Sequence, residues 1–209
     1  AWDDLTPGIT WDGFVTTIKR KRPMASDNRI SLDITAAQKT AIVDAVMALK
    51  AALNGITLAG GLELVLCCDL VLAARSTKIG DAHANFGLLP GGGGSVRLPR
   101  AIGPARAKYL LFTGDFVAAS ELVAAGLVNQ VVDDEQLESA TQAVADKIAT
   151  KSPLGLRRMK ALVDDGLQQS IDTALRLELL ACEVHAHSAD LHEGLAAFSE
   201  KRAPRFTGH

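Results

Sequence analysis

The spacing of apolar residues changes along the chain and divides it into two parts. Up to Val132 the apolar runs are short: residues 70–74 predict a buried strand, 77–79 and 127–132 two further strands, and 62–68 a short buried helix. After Val132 only helical spacing is found. The pattern therefore predicts an α/β core at residues 1–152 and an all-helical region at 153–209.

The turn and cap residues place the remaining elements. A hairpin is predicted at residues 9–18 around an Asp-Gly turn, and a helix is predicted to end near Lys50. Pro104 and Gly114 enclose another predicted helix, and residues 118–125 a short one. The chain after Val132 is predicted to form four helices, which begin near residues 134, 153, 169 and 188.

Composition narrows the class of protein. The 209 residues are 48% hydrophobic and 22% charged, with a net charge of −2, which is typical of a soluble globular protein and argues against a nucleic-acid partner. Cys67 and Cys68 lie in an apolar run and are interpreted as buried thiols, and an odd cysteine count without spaced pairs favours a reducing compartment. No apolar stretch is long enough to span a membrane, and residues 1–8 lack a signal-peptide core, so we expect a cytoplasmic protein.

A glycine pair precedes an apolar run in Leu58-Ala59-Gly60-Gly61-Leu62-Glu63-Leu64. Glycines at a helix start leave accessible backbone N–H groups, which bind oxygens that carry negative charge. Glu63 lies inside the apolar run, where a carboxylate is costly without a specific role. The alternative is a solvent-facing glutamate favoured by the helix dipole.

His83 lies twenty residues after Glu63 and shortly before a glycine-rich turn at residues 91–94. An imidazole can give or accept a proton near neutral pH, so His83 is suited to work opposite Glu63; a loop histidine bonded to the backbone is the alternative. The glycines favour a close backbone approach to a substrate or to another strand over a phosphate loop, because no Lys-Ser/Thr pair follows them. No metal site is expected, since the i, i+2 spacing of His185 and His187 places them on different helix faces.

These motifs and several others resemble, in order, those of the enoyl-CoA hydratase/isomerase (crotonase) superfamily. The matching segments cover nearly the whole chain: Ala52-Leu53-Asn54-Gly55, residues 59–64, Cys68-Asp69-Leu70, Phe86-Gly87-Leu88-Leu89-Pro90-Gly91, Arg97-Leu98-Pro99-Arg100, Leu111-Phe112-Thr113-Gly114, Ala125-Gly126-Leu127-Val128 and the tail at 194–202.

The resemblance implies a crotonase-like ββα spiral core with a C-terminal helical arm that assembles a homotrimer or hexamer. It implies an acyl-CoA thioester as substrate, with coenzyme A as part of that substrate and no separate cofactor. Gly60 matches one of two backbone donors to the thioester oxygen, and Glu63 matches a catalytic carboxylate. The resemblance also implies substrate contacts. Lys21 and Ala25 would lie at the nucleotide end of CoA, Gly91 at the water site, and Phe198 and Lys201 at the adenine bound by a neighbouring subunit. Gly61 and Leu88 are implied as further substrate-binding residues.

The implied reaction is hydration of a 2-enoyl-CoA, with Glu63 and His83 as the acid/base pair. His83 stands where hydratases carry a second glutamate, so isomerisation, thioester hydrolysis, decarboxylation and a catalytically silent acyl-CoA binder remain alternatives. Two strands and a helix of the family, with the loop that donates the first oxyanion N–H, have no counterpart between Lys50 and Ala51. Either the natural protein carries that segment, or it lacks half of the oxyanion hole. We expect the first, because a helix joined directly to this strand would leave neighbouring backbone unpaired.

Overall fold

The computed structural model describes residues 50–209, with the backbone alone at Lys50. The predicted hairpin at 9–18 and the predicted substrate contacts of Lys21 and Ala25 lie outside the described residues. The helix predicted to end near Lys50 also lies outside the described residues. Lys50 itself is the first residue of the strand Lys50–Leu53.

The first sheet contains three parallel strands. β1 (Lys50–Leu53) and β6 (Gln130–Val132) pair with opposite sides of β3 (Leu70–Ala74), in the order β1-β3-β6. Four of the five residues of β3 are buried. A strand covered on both faces has a continuous apolar run instead of an alternating one, which is why the sequence predicted β3 with correct bounds.

The second sheet places two turns at one edge. β2 (Ile56–Leu58) pairs in parallel with β4 (Lys78–Gly80), and β5 (Phe116–Ala118) pairs with β4 in the antiparallel direction. The last residues of the two parallel strands, Leu58 and Gly80, are partners in the register. The segments that follow β2 and β4 therefore leave the sheet at the same edge.

Seven α-helices accompany these strands in residues 50–209. They are α1 (Gly60–Val65), α2 (Gly94–Ile102), α3 (Pro104–Thr113), α4 (Leu137–Ala149), α5 (Pro153–Gly166), α6 (Ile171–Ala186) and α7 (Ala189–Glu200). Ser152, Ser170 and Ser188 cap the last three, each accepting a bond from a backbone N–H in the first turn. None of the helices in the described part is long and apolar enough to cross a membrane.

Several predicted elements differ from the observed ones. The predicted helix at 118–125 is β5 followed by a 3-10 turn at Ala119–Leu122. Helix α2 was not predicted, because its glycine-rich start and internal Pro99 are unfavourable helix signals. Helix α1 ends at Val65, so the chain turns before the two cysteines. The prediction of two buried thiols was therefore wrong.

The two cysteines differ in their surroundings. Cys67 is exposed and Cys68 is half-buried, and the thiol of each donates to a carbonyl of α1, at 3.3 and 3.5 Å. Partial burial, together with the neighbouring Cys67 and Asp69, raises the pKa of Cys68 to about 11. Cys68 is therefore a thiol, not a thiolate, at neutral pH.

The core runs through both sheets and reaches α4. Leu137 of α4 packs with Leu72, Ala74 and Val132 of the first sheet. After Val132 the described chain has no strand. The boundary between core and helical region at residues 152 and 153 stays a prediction.

A buried aspartate ties the helical region together. Asp190 is 1% exposed and accepts bonds from Ser152 Oγ at 2.5 Å, the Thr207 N–H at 2.7 Å and the Gly208 N–H at 3.0 Å. Burial alone would raise the pKa of this carboxyl, but the hydrogen bonds outweigh burial and hold the pKa below its usual value. The ionised carboxylate therefore joins the start of α5, the start of α7 and the C-terminal segment.

We expect Asp190→Asn to lower the free energy of unfolding at pH 7 by about 1–3 kcal/mol, because the amide replaces one acceptor oxygen with a donor. The folded-state pKa lies below the ordinary 3.8, so the stabilisation is complete above that value and is lost as pH falls through the folded value. Urea unfolding of both proteins should therefore give a gap that narrows below pH 3.8. Asp146→Asn, on the exposed face of α4, is the control and should change little at either pH.

Candidate active site

The two turns at the edge of the second sheet are joined by a hydrogen bond. The Ala59 N–H donates to the carbonyl of Gly80 at 3.3 Å, which extends the parallel pairing one residue beyond β2. At Gly80 an added Cβ would lie 2.4 Å from the carbonyl oxygen of Asp115, so only glycine fits under the loop before β5. This close packing fixes where the segment after β4 begins.

The turn after β2 has strained backbone. Ala59 has φ 46° and ψ −117°, outside the regions that residues with a Cβ favour, and such a residue costs about 1–3 kcal/mol. Gly60 begins α1 directly after it and is exposed. The N–H groups of a first helical turn have no intrahelical acceptor, so the amide of Gly60 can donate to a bound oxygen.

Glu63 lies beneath the glycine-rich turn. It is 8% exposed, and its Oε1 accepts the N–H of Gly92 at 2.6 Å and the N–H of Gly94 at 3.0 Å. Hydrogen bonds to a charged group contribute about 1.5–3 kcal/mol each. Glu63 is in the first turn of α1 and Gly94 is the first residue of α2, so two helix N-termini favour its negative charge.

The glycine-rich turn leaves room for this carboxylate only because it lacks side chains. A Cβ at Gly92 would lie 2.6 Å from Glu63 Oε2, and one at Gly94 would lie 3.0 Å from Pro90 Cβ. The Arg97 guanidinium holds the turn from the other side, with Nη1 donating to the carbonyl of Gly92 at 2.9 Å. The described structure thus brings these glycines close to the Glu63 side chain on α1, not to another strand. The predicted approach to a substrate stays a prediction.

His83 begins a 3-10 turn (His83–Phe86) just after β4. Its Nδ1 lies 3.0 Å from Asp81 Oδ1, and its backbone N–H donates to Asp81 Oδ2 at 3.2 Å. Ala82, between them, has the left-handed values φ 60° and ψ −12°. The segment is anchored further along, where Asn85 Nδ2 donates to the carbonyl of Gly114 at 3.0 Å.

The other predicted site residues fall into two groups. Gly61, Leu88 and Gly91 lie on the same segments as Glu63 and His83: Gly61 is half-buried, and Leu88 and Gly91 are exposed. Phe198 is 86% exposed on α7, and Lys201 ends that helix in a left-handed conformation. The substrate contacts predicted for all five stay predictions.

Sequence reasoning missed the partners of the two acid/base candidates. Asp81 was not singled out, although its i, i+2 spacing from His83 is a signal once a strand is known to end at Gly80. Gly91 was chosen from the glycine run, whereas Gly92 and Gly94 bind Glu63. Residues 50–209 contain no group of three His, Cys, Asp or Glu side chains placed to bind a metal, and the expectation of a metal-free site stays a prediction.

Comparison with known proteins identifies the family. The model of the enoyl-CoA hydratase/isomerase family matches residues 17–209. A crotonyl-CoA hydratase of Syntrophomonas wolfei is 42% identical over 156 residues, covering 75% of this chain and 60% of the relative. A short-chain-enoyl-CoA hydratase of Clostridium acetobutylicum is 36% identical over 152 residues, covering 73% and 58%.

Solved structures agree with the sequence comparisons. The enoyl-CoA hydratase of Bacillus anthracis superposes with a TM-score of 0.75 and 42% identity, over 77% of this chain and 62% of that one. The chain therefore belongs to the enoyl-CoA hydratase/isomerase family, and its α/β crotonase-type fold is confirmed. The chain spans about 60% of the length of these first relatives.

We expect Gly92→Ala to lower the free energy of unfolding by about 1–3 kcal/mol, because the new methyl group must displace the Glu63 carboxylate or open the turn. Urea unfolding measures the loss. Gly166→Ala is the matched control, since a Cβ there meets only Ala174 Cβ at 3.6 Å, an ordinary contact. Equal stability of the two variants would contradict the close fit of the turn around Glu63.

Proposed function

We propose that this protein adds water to a 2-enoyl-CoA thioester. The observation that carries the proposal is the buried Glu63 carboxylate, held by two backbone N–H groups at the sheet edge where Gly60 and His83 also lie. The names of relatives, which include a crotonyl-CoA hydratase and a short-chain-enoyl-CoA hydratase, support the same chemistry. The reaction needs no cofactor beyond the coenzyme A of its substrate.

The amide of Gly60 is the oxyanion donor in this proposal. The thioester oxygen accepts this N–H, which stabilises the negative charge that develops when the β-carbon is attacked. The strained Ala59 immediately before it supports this role, because strain of this kind is found where a binding group must be held in place. Loss of such a donor costs about 2.7–4 kcal/mol in the transition state.

Glu63 and His83 divide the two proton transfers. Glu63 takes a proton from water as the oxygen bonds to the β-carbon, and the double-bond electrons move to the α-carbon and thioester oxygen. Protonated His83 then gives its proton to the α-carbon, and the proton on Glu63 returns to His83 through solvent. The sum is one water added across one double bond.

Glu63→Gln should lower kcat for hydration of a short 2-enoyl-CoA by about 10²–10⁴-fold, because the amide cannot accept the proton. It should still fold, since the amide oxygen can accept the Gly92 and Gly94 bonds. Glu138→Gln, on the exposed side of α4, is the control and should retain full activity. A Glu63→Gln protein with normal kcat would refute the assigned base.

Mass spectrometry of the products tests the reaction class in the same samples. A gain of one water on enoyl thioesters supports hydration, whereas free CoA would replace it with thioester hydrolysis. A product of unchanged mass but altered chromatographic retention would replace it with isomerisation, and loss of carbon dioxide from an acyl-CoA that carries a free carboxylate would replace it with decarboxylation. These alternatives are tested because His83 stands where hydratases carry a second glutamate, and this difference could change the reaction. Binding of CoA esters without any product would identify a silent acyl-CoA binder.

We propose further that the helical region assembles a homotrimer or hexamer. Neither α5 nor α6 has a buried residue in the described chain, although both are rich in apolar side chains. The exposed apolar residues of α5, α6 and the turn between them include Met159, Val163, Leu167, Ile171, Leu175, Leu177, Leu179, Leu180 and Val184. So large an apolar surface on one region supports burial against other copies of the chain.

Leu179→Glu should shift the molar mass in light scattering from three or six chains to one, because a charge would enter the proposed interface. Leu179 is 69% exposed in the single chain, so the change should not unfold it. Leu179→Ala at the same position is the control and should still assemble. A wild-type protein that is monomeric at all concentrations would refute the proposal.

A cytoplasmic location remains part of the proposal. Cys67, Cys68 and Cys182 are all free, which supports a reducing compartment. Fractionation of cells that express the natural protein tests this location.

A further inference from the structure

We propose that Asp81 is a positioning residue that keeps the proton on Nδ1 of His83, so that Nε2 is the nitrogen that exchanges a proton with the substrate. The role of Nε2 in turnover rests on the proposed hydration. The assignment of the two ring nitrogens rests on geometry alone, and the experiment below separates the two.

Both oxygens of Asp81 bind His83. Oδ1 lies 3.0 Å from the ring nitrogen Nδ1, and Oδ2 accepts the backbone N–H at 3.2 Å. A carboxylate is an acceptor only, so Nδ1 must carry the hydrogen in this contact. In the neutral ring the other nitrogen, Nε2, then has a free lone pair and can take up a proton.

Burial of Asp81 strengthens its preference for the ring form of His83 that carries a hydrogen on Nδ1. Asp81 is 1% exposed, whereas the His83 side chain is 13% exposed. Among the described residues, His83 is the one basic side chain within ion-pair distance of the Asp81 carboxylate. A buried carboxylate with a single basic partner strongly favours whichever ring form donates to it.

The backbone is shaped to make the contact. Ala82, the residue between Asp81 and His83, adopts the left-handed conformation and is itself buried. A residue with a Cβ keeps this conformation only where its surroundings enforce it, and such residues are enriched at functional sites. The bond from Asn85 to the carbonyl of Gly114 holds the next turn in place.

Asp81 acts on the reaction through His83 and does not touch the substrate. When His83 is protonated on both nitrogens, Nδ1–H points to Asp81 and the Nε2–H bond breaks as the new bond from the α-carbon to hydrogen forms. Asp81 stays ionised throughout and stabilises the imidazolium. The same contact keeps the ring from rotating away from the substrate.

The first experiment is nitrogen NMR of the wild-type protein with ¹⁵N-labelled histidine, with His83→Gln identifying the His83 signals. At a pH where the ring is neutral, we expect a pyrrole-type shift at Nδ1 and a pyridine-type shift at Nε2. The opposite pattern would overturn the proposal. This measurement needs neither turnover nor a variant of Asp81.

The second experiment is Asp81→Asn, which keeps the size of the side chain but can offer a donor to Nδ1. We expect the proton to move to Nε2 in the NMR spectrum and kcat for hydration to fall by about 10²–10⁴-fold, with KM changed less than threefold. Asp133→Asn, an exposed aspartate paired with Arg75, is the control and should leave both the spectrum of His83 and kcat unchanged.

The outcomes separate the two proposals. An Asp81→Asn protein that keeps both the wild-type spectrum and kcat would overturn the role of Asp81. If the wild type hydrates no substrate, the proposed function fails, and the NMR pattern still decides the ring assignment. If Asp81→Asn does not fold, the wild-type spectrum decides it.

Discussion

Parallel pairing of β2 with β4 brings the turn after Leu58 and the turn after Gly80 to the same sheet edge, and the bond from the Ala59 N–H to the Gly80 carbonyl extends that pairing into the site. Glu63 follows the first turn and His83 the second. A register slip of one residue would move one turn about 3.3 Å along the strand and reverse its side chains. Two candidate groups twenty residues apart are therefore placed by a three-residue strand pair.

Strain in the site is confined to the segments that carry function. Ala59 and Ala82 both have positive φ, and each lies next to a proposed functional residue. The strands before them are well packed: Thr57, Ile79 and Gly80 are buried. A rigid sheet can hold two unfavourable turns because their distortion does not spread into the core. The two strained turns at Ala59 and Ala82 are thus held by well-packed strands.

The sequence predicted those features whose signal lies in a few neighbouring residues, and it did not predict contacts between residues far apart in the chain. β3 has a continuous apolar run and Pro153 stands at the first position of α5, so both were predicted. Glu63 was found because a carboxylate in an apolar run is unusual. Gly92 and Gly94, which bind Glu63, were not found because they lie about thirty residues away along the chain. Asp81, which binds His83, was not found because alanine gives no sequence signal for the left-handed turn at Ala82 between them. Helix α2 was missed since glycine and proline normally argue against a helix.

The contact between Asp81 and His83 bears on how a glutamate can be exchanged for a histidine at a proton-donor position. A glutamic acid is neutral before it gives up its proton and carries one negative charge afterwards. An aspartate with an imidazolium is also neutral before transfer and singly negative afterwards. The pair thus matches the formal charge of the single residue at both stages of the reaction. A histidine without the aspartate would carry one extra positive charge throughout, so the two positions are expected to change together during divergence.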